Sequence, residues 1–220
     1  MRATVLMQSR LFGVLLASVL VISGCASQRL NRQDYESIKQ PMSVVWLKTP
    51  NLRAPTVAGL VLTMAGGIAT APVGVYMNEQ STKELRMTVV FPDMGFEVAS
   101  RVMSIWREKG AVHEMVLLQS PIEKDHKSQG PSMVFEIIEP FFLGVDGYLV
   151  ATCRITMKDN FGKTIYKSKE WFNGFSQHRK RFSRKEFKAD NGRLLIEEME
   201  FASQHIADNF VKNILVNLSK

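Results

Sequence analysis

Cysteine is nearly absent: the chain of 220 residues has two, Cys25 and Cys153. Histidine is scarce too, and its four copies, His113, His126, His178 and His205, are scattered. No histidine pair has the i, i+4 spacing of a helical metal site, and none lies beside a cysteine. His126 with Asp125 and Glu123 is the nearest approach to a metal cluster, and a solvated loop is its plainer reading. A nucleophile elbow, a phosphate-cradling glycine loop and a nucleophile–base motif are all missing. Glu136 and Glu139 are three apart, which on a strand puts them on opposite faces, so they form no acid/base pair. These absences point away from an enzyme and away from any metal or organic cofactor. Acid is the minority charge: 21 Asp and Glu stand against 28 Lys and Arg, a net charge of +7.

The one long departure from mixed composition comes first. Arg2 and Arg10 precede a run, Leu11 to Val21, that is apolar but too short for the ~20 residues of a spanning helix. Small residues Ser23 and Gly24 follow, then Cys25. This order is that of a secretory signal peptide over 1–24. Ile22-Ser23-Gly24-Cys25 resembles a bacterial lipobox. The resemblance implies a diacylglycerol thioether and an N-acyl chain (palmitate or similar) on Cys25, which becomes the first residue after cleavage. Two or three acyl chains hold firmly, since burial contributes about 0.8 kcal/mol per CH₂. Ala26 at the next position, in place of an aspartate, resembles outer-membrane sorting, so the expected place is the outer membrane, facing the periplasm, with the inner membrane less favoured. With Cys25 acylated, Cys153 has no disulfide partner. In "YLVATCRITM" it shares a face with Leu149, Ala151 and Ile155 and reads as a small core residue.

Residues 25–40 are polar and read as a lipidated tether. Residues 41–220 read as a single domain. "MSVVWLK" is a strand. From Val57 to Met77 there is no charge, and Gly59, Gly66, Gly67, Gly74 and Pro72 weaken a helix. That segment is an insertion with three readings: packed on the domain, in contact with a membrane or a second copy, or spanning. "LRMTVVF" is a second strand. In "PDMGFEVASRVMSIWREKG" the apolar residues Phe96, Ala99, Val102, Met103 and Trp106 recur at helical steps, with Asp93 at the start and Lys109 and Gly110 at the end. "AVHEMVLLQ" is a strand, "SPIEKDHKSQGPS" a loop, and "MVFEIIEPFF" one nearly continuous apolar strand. "GYLVATCRITMKDNFGKTIYKSKEWF" is a hairpin turning at Asp159–Gly162, where Gly162 accepts positive φ. The final helix carries the stripe Leu195, Met199, Ala202, Ile206, Phe210 and Ile214, and His205 is on its flank. The expected fold is α+β: an antiparallel sheet of four to five strands packed by two main helices, with the apolar insertion after the first strand.

One charged constellation stands out, "SQHRKRFSRKEFKADNGR". Arg179, Lys180, Arg181, Arg184, Lys185 and Lys188 form a candidate anion-binding patch interleaved with Phe182 and Phe187. Arginine forks match phosphate oxygens; the plainer reading is a solvated loop. The "MKDNFGKTIY" hairpin and the closing "ASQHIADNFVKNIL" helix resemble, in outline, small α+β envelope lipoproteins. These are the auxiliary lipoproteins of ABC-type lipid transporters, the periplasmic domain of the curli secretion-channel lipoprotein and the Tol-system amino-terminal domain. The resemblance carries over no functional residue. It implies a non-enzymatic subunit or scaffold of an envelope transport, secretion or assembly complex, with envelope proteins or further copies of itself as partners. The alternative is a lipoprotein that binds anionic lipid or lipopolysaccharide through residues 178–188. Nucleic acid is not an expected partner.

Overall fold

Alternation of apolar residues builds the sheet, and three- and four-residue steps build the helices that cover it. The structure, a computed structural model, describes residues 41–50, 52, 90–109, 114–120, 130–138, 140–143, 146–177, 179, 182, 183, 186 and 189–218, with 34, 36, 76, 79, 80 and 83 in addition. The expected signal peptide, most of the tether, the insertion over 57–77 apart from Tyr76, and the run from Leu85 to Val89 lie outside the described residues; Val90 and Phe91 belong to no strand.

The elements in order are β1 (Met42–Leu47), α1 (Met94–Glu108), β2 (Met115–Ser120), β3 (Ser132–Ile137), β4 (Phe141–Leu143), β5 (Asp146–Lys158), β6 (Thr164–Asn173), β7 (Phe182–Ser183), a 3₁₀ turn (Ala189–Gly192) and α2 (Arg193–Leu218). The class is α+β. Strand β5 is the hub, antiparallel to β3 and β4 along one edge and to β6 and β7 elsewhere. The other side of β3 is parallel: β1 pairs with β3 and with β2 in the same direction. Both parallel joins follow long connections, the one between β1 and β2 containing α1, as parallel pairing requires. The stretch expected as one strand, 133–142, is two. The ladder runs on past β3 through Ile138 N–H donating to Thr152 O. Pro140 then interrupts it, because its ring nitrogen has no hydrogen to donate.

Both helices cover one face. Met42, Val44, Met133, Phe135, Ile137, Leu149, Ala151, Cys153, Ile155, Met157 and Phe172 point down into a single core. There they meet Val98, Ala99, Val102 and Trp106 of α1 and the whole stripe expected for α2. The rings converge on Phe210. Its centroid lies 6.3 Å from Trp106, 6.0 Å from Phe135 and 6.2 Å from Tyr166. Phe96, expected inside, is 39 % exposed. It sits in the first turn of α1, beyond the edge of the core, and meets Trp46 edge-on at 5.2 Å. Met94 and Val98 are buried in that turn instead. The hairpin turn is as expected, with Gly162 at φ +77°. Asp159 Oδ1 accepts from the Phe161 and Lys163 amides.

Asp93 caps α1. Its Oδ1 accepts from the Gly95 and Phe96 amides and from Thr49 Oγ1 at 2.6 Å, so the cap also ties the helix to the chain leaving β1. The approach is close: a Cβ on Gly95 would lie 2.7 Å from the Leu47 carbonyl oxygen. An exposed helical glycine replaced by alanine ordinarily gains roughly 0.5–1 kcal/mol. Here Gly95→Ala is expected to lose about 1–3 kcal/mol, the cost of overpacking. Urea unfolding checks the sign.

Candidate functional site

Among the described residues, both helices pack on one face of the sheet and none on the other. Strand alternation sends Val45 and Leu47 of β1, Ser132, Val134 and Glu136 of β3, and Arg154, Thr156 and Lys158 of β5 to the helix-free side, and a register shift in the β5–β6 ladder at Met157/Lys158 brings both Thr164 and Lys167 of β6 there. Together they line a groove of about 350 Å³, within the size range of small-molecule sites. Ladder register brings them together: Val45 is opposite Val134, Val134 opposite Thr156, and Thr156 opposite Lys167.

The groove is polarised. Val45, Val134 and Leu47 make an apolar end over β1 and β3, and Val45 is only 1 % exposed. Lys158 and Lys167 stand at the other end, over β5 and β6. Between them Arg154 Nη1 donates to Glu136 Oε2 at 2.7 Å. Those side chains are 43 % and 35 % exposed, so the pair contributes on the order of 1 kcal/mol or less and mainly fixes the two groups. It also uses up the one carboxylate among the described lining residues. The residue beside Lys158 in the ladder, Ser132, is 2 % exposed and its hydroxyl has no hydrogen-bond partner. A buried polar group left unpaired costs about 1–3 kcal/mol. The described residues that line the groove offer charge, hydroxyl donation and apolar contact. A smaller cleft of about 130 Å³ lies beside the cap of α1, where Asp93 is already engaged.

Two groups with displaced proton affinity lie under the sheet. Burial pushes the Cys153 thiol far up, which keeps it protonated and unreactive. The core role expected for it is what the structure has. Burial likewise raises Glu170, partly offset by Asn213 Nδ2 donating to Oε2 at 3.3 Å.

Of the basic run, Arg179 alone is described; Lys180, Arg181, Arg184, Lys185 and Lys188 lie outside the described residues, as do Cys25 and Ile22–Gly24. Arg179 is committed inward. Its Nε and Nη2 donate to Glu198 Oε2 at 3.0 and 2.9 Å, and Glu198 is 4 % exposed. The guanidinium stacks 4.0 Å above Phe201, whose ring also stacks on His205. The chain then rejoins the ladder, β7 pairing with Asp146 and Gly147.

Sequence reasoning missed the groove. The available signal was apolar residues on consecutive positions of β1 and β3, which marks strands with something to do on both faces. Lys158 and Lys167, one on each arm of the hairpin, were the complementary signal.

No protein-family model matches the chain, and no curated protein matches it. Several solved structures bear a likeness to it, three of them as follows. A PelC dodecamer from Paraburkholderia phytofirmans is 12 % identical, with a TM-score of 0.30, over 74 % of this chain and 88 % of that one. The hypothetical protein CT253 from Chlamydia trachomatis is 11 % identical, with a TM-score of 0.33, over 80 % and 95 %. Lipoprotein GNA1162 from Neisseria meningitidis is 10 % identical, with a TM-score of 0.18, over 60 % and 85 %. At TM-scores of this size the likeness carries no argument about ligand, assembly or mechanism.

Two expectations follow. Arg179→Ala leaves a buried carboxylate unpaired and is expected to cost about 2–3 kcal/mol; the double variant Arg179→Met, Glu198→Met should lose distinctly less, read by urea midpoints. For Glu170 the sign runs from its raised affinity. The folded chain keeps that proton above the ordinary glutamate value of 4.5, so its share of stability is full below that value. It is lost as pH rises through the folded value. Glu170→Gln is therefore expected to gain stability relative to the parent between pH 5 and pH 8, measured by thermal melts across that interval.

Proposed function

We propose that this chain is a non-enzymatic lipoprotein of the cell envelope, held at the outer membrane by acyl chains on Cys25, where it serves as a subunit or scaffold of a transport, secretion or assembly complex. The observation that supports a docking role is the one-sided sheet: helices occupy one face, and the other presents an apolar-floored, basic-ended groove. The leader and the Ile22–Cys25 box support the anchor, and a membrane-held body works on partners that reach that surface.

The test is site-specific photocrosslinking in intact cells. A photoreactive residue at Trp171, which is 58 % exposed on the groove's side of β6, is expected to give a discrete adduct. One at Arg101, half-exposed on the outer side of α1, is expected to give none. Equal patterns from both positions would reject the docking reading. Cys25→Ala should move the protein from the membrane fraction; unchanged fractionation would reject the anchor.

A second reading, binding of anionic lipid or lipopolysaccharide, is favoured by one observation. Arg179 and β7 fasten the basic run at two points, which limits the entropy lost when its cations meet phosphates. Lys180, Arg181 and Arg184 changed together to Ser would then abolish salt-sensitive binding to anionic vesicles and leave the crosslinks intact. Arg179 is left out of that variant because it supports the fold.

A further inference from the structure

The geometry points to the groove on the helix-free face as a site for a single-chain anionic amphiphile, with a phosphate or carboxylate head between Lys158 and Lys167 and its apolar tail along Val134 and Leu47. The inference rests on reading the helix-free face as the working surface. It does not depend on the anchor or on the basic run after β6.

Three independent features specify the ligand class. First, charge: neither Lys158 nor Lys167 has a carboxylate partner among the described residues, while Glu136 is already held by Arg154. Two ammonium groups that line one groove, without a carboxylate partner among the described residues, favour an anion between them. Second, an orphan: the Ser132 hydroxyl is buried, unpaired and next to Lys158 in the ladder. It is a donor without an acceptor, and an oxyanion supplies acceptors in excess. Third, segregation: the apolar residues are gathered at the β1–β3 end and are not interspersed with the cations. An inorganic anion leaves that end unused. A saccharide ordinarily needs a flat aromatic platform and many paired hydroxyl partners, and among the described residues no aromatic side chain lines the groove. A headgroup joined to an alkyl chain uses both ends, with a volume of about 350 Å³ available.

The experiment uses full-length protein purified in dodecyl maltoside, so that a neutral amphiphile is present throughout. A dodecyl phosphate carrying a diazirine on its chain is photolysed with the protein, and adducts are mapped by mass spectrometry. Labelling is expected on β1 and β3, displaced by unmodified dodecyl phosphate but not by added inorganic phosphate. Lys158→Gln with Lys167→Gln should lower it about tenfold, as expected for a lost charge pair at a binding rim. Val134→Trp, which fills the apolar end, should lower it at least as much. Melting curves within a few degrees of the parent confirm that each variant is folded. Label outside the groove, label unchanged in both variants, displacement by inorganic phosphate alone, or no label above the maltoside background would each overturn the proposal. Loss of the cellular crosslinks with amphiphile labelling retained would instead count against the docking function only.

Discussion

The fold hangs on the burial of Phe210. Its ring is the place where α1, α2, β3 and β6 all touch, through Trp106, Phe135 and Tyr166. Burying a phenylalanine and its aromatic contacts contributes roughly 3–5 kcal/mol when measured by truncation, a large share of the 5–15 kcal/mol that holds a typical domain together. Neither helix can shift without disturbing that ring. The sheet is thereby pinned flat against the helix layer, and its two faces are given separate tasks.

The lower face carries cohesion and the upper face carries chemistry. Apolar side chains below are continuous from Met42 to Ile214. Buried polar groups there, Glu170 and Ser203, are tied to neighbours on α2. Above, apolar and charged residues share one surface, and their order across the strands follows from register alone. A function that resides in such a surface tolerates change in the lower core only while the register of β1, β3, β5 and β6 is kept. The core thus specifies the site indirectly, by fixing which residues stand beside which.

Period and turn chemistry made much of this legible in the sequence. The α2 stripe is buried at every position read from its three- and four-residue steps, and the β5–β6 hairpin turns where Asp159 and Gly162 indicate. Phe96 was misassigned because the helical period locates a face but not how far along the helix its cover extends. Pro140 broke a run that hydrophobicity alone made continuous. The parallel placement of β1 between β2 and β3 left no local mark, since a strand's partners are chosen by the whole topology. The groove was hidden for the same reason: its residues come from four strands and adjoin only through register. Arg179 looked like one cation among many because Glu198, which claims it, belongs to the next helix.

The position of β1 has a consequence for how the chain reaches this state. It is the first strand among the described residues, yet the two strands that flank it begin at Met115 and Ser132, so neither partner exists until more than half the polypeptide has emerged. Pairings so distant along the chain are slow to close. The β5–β6 hairpin and α2 are assembled from nearby residues and form the natural nucleus, onto which the amino-terminal strand is recruited last. Until those partners arrive, Val44, Val45 and Trp46 lack the flanking strands that shelter them in the folded chain, and their apolar surface is what a holding chaperone would recognise.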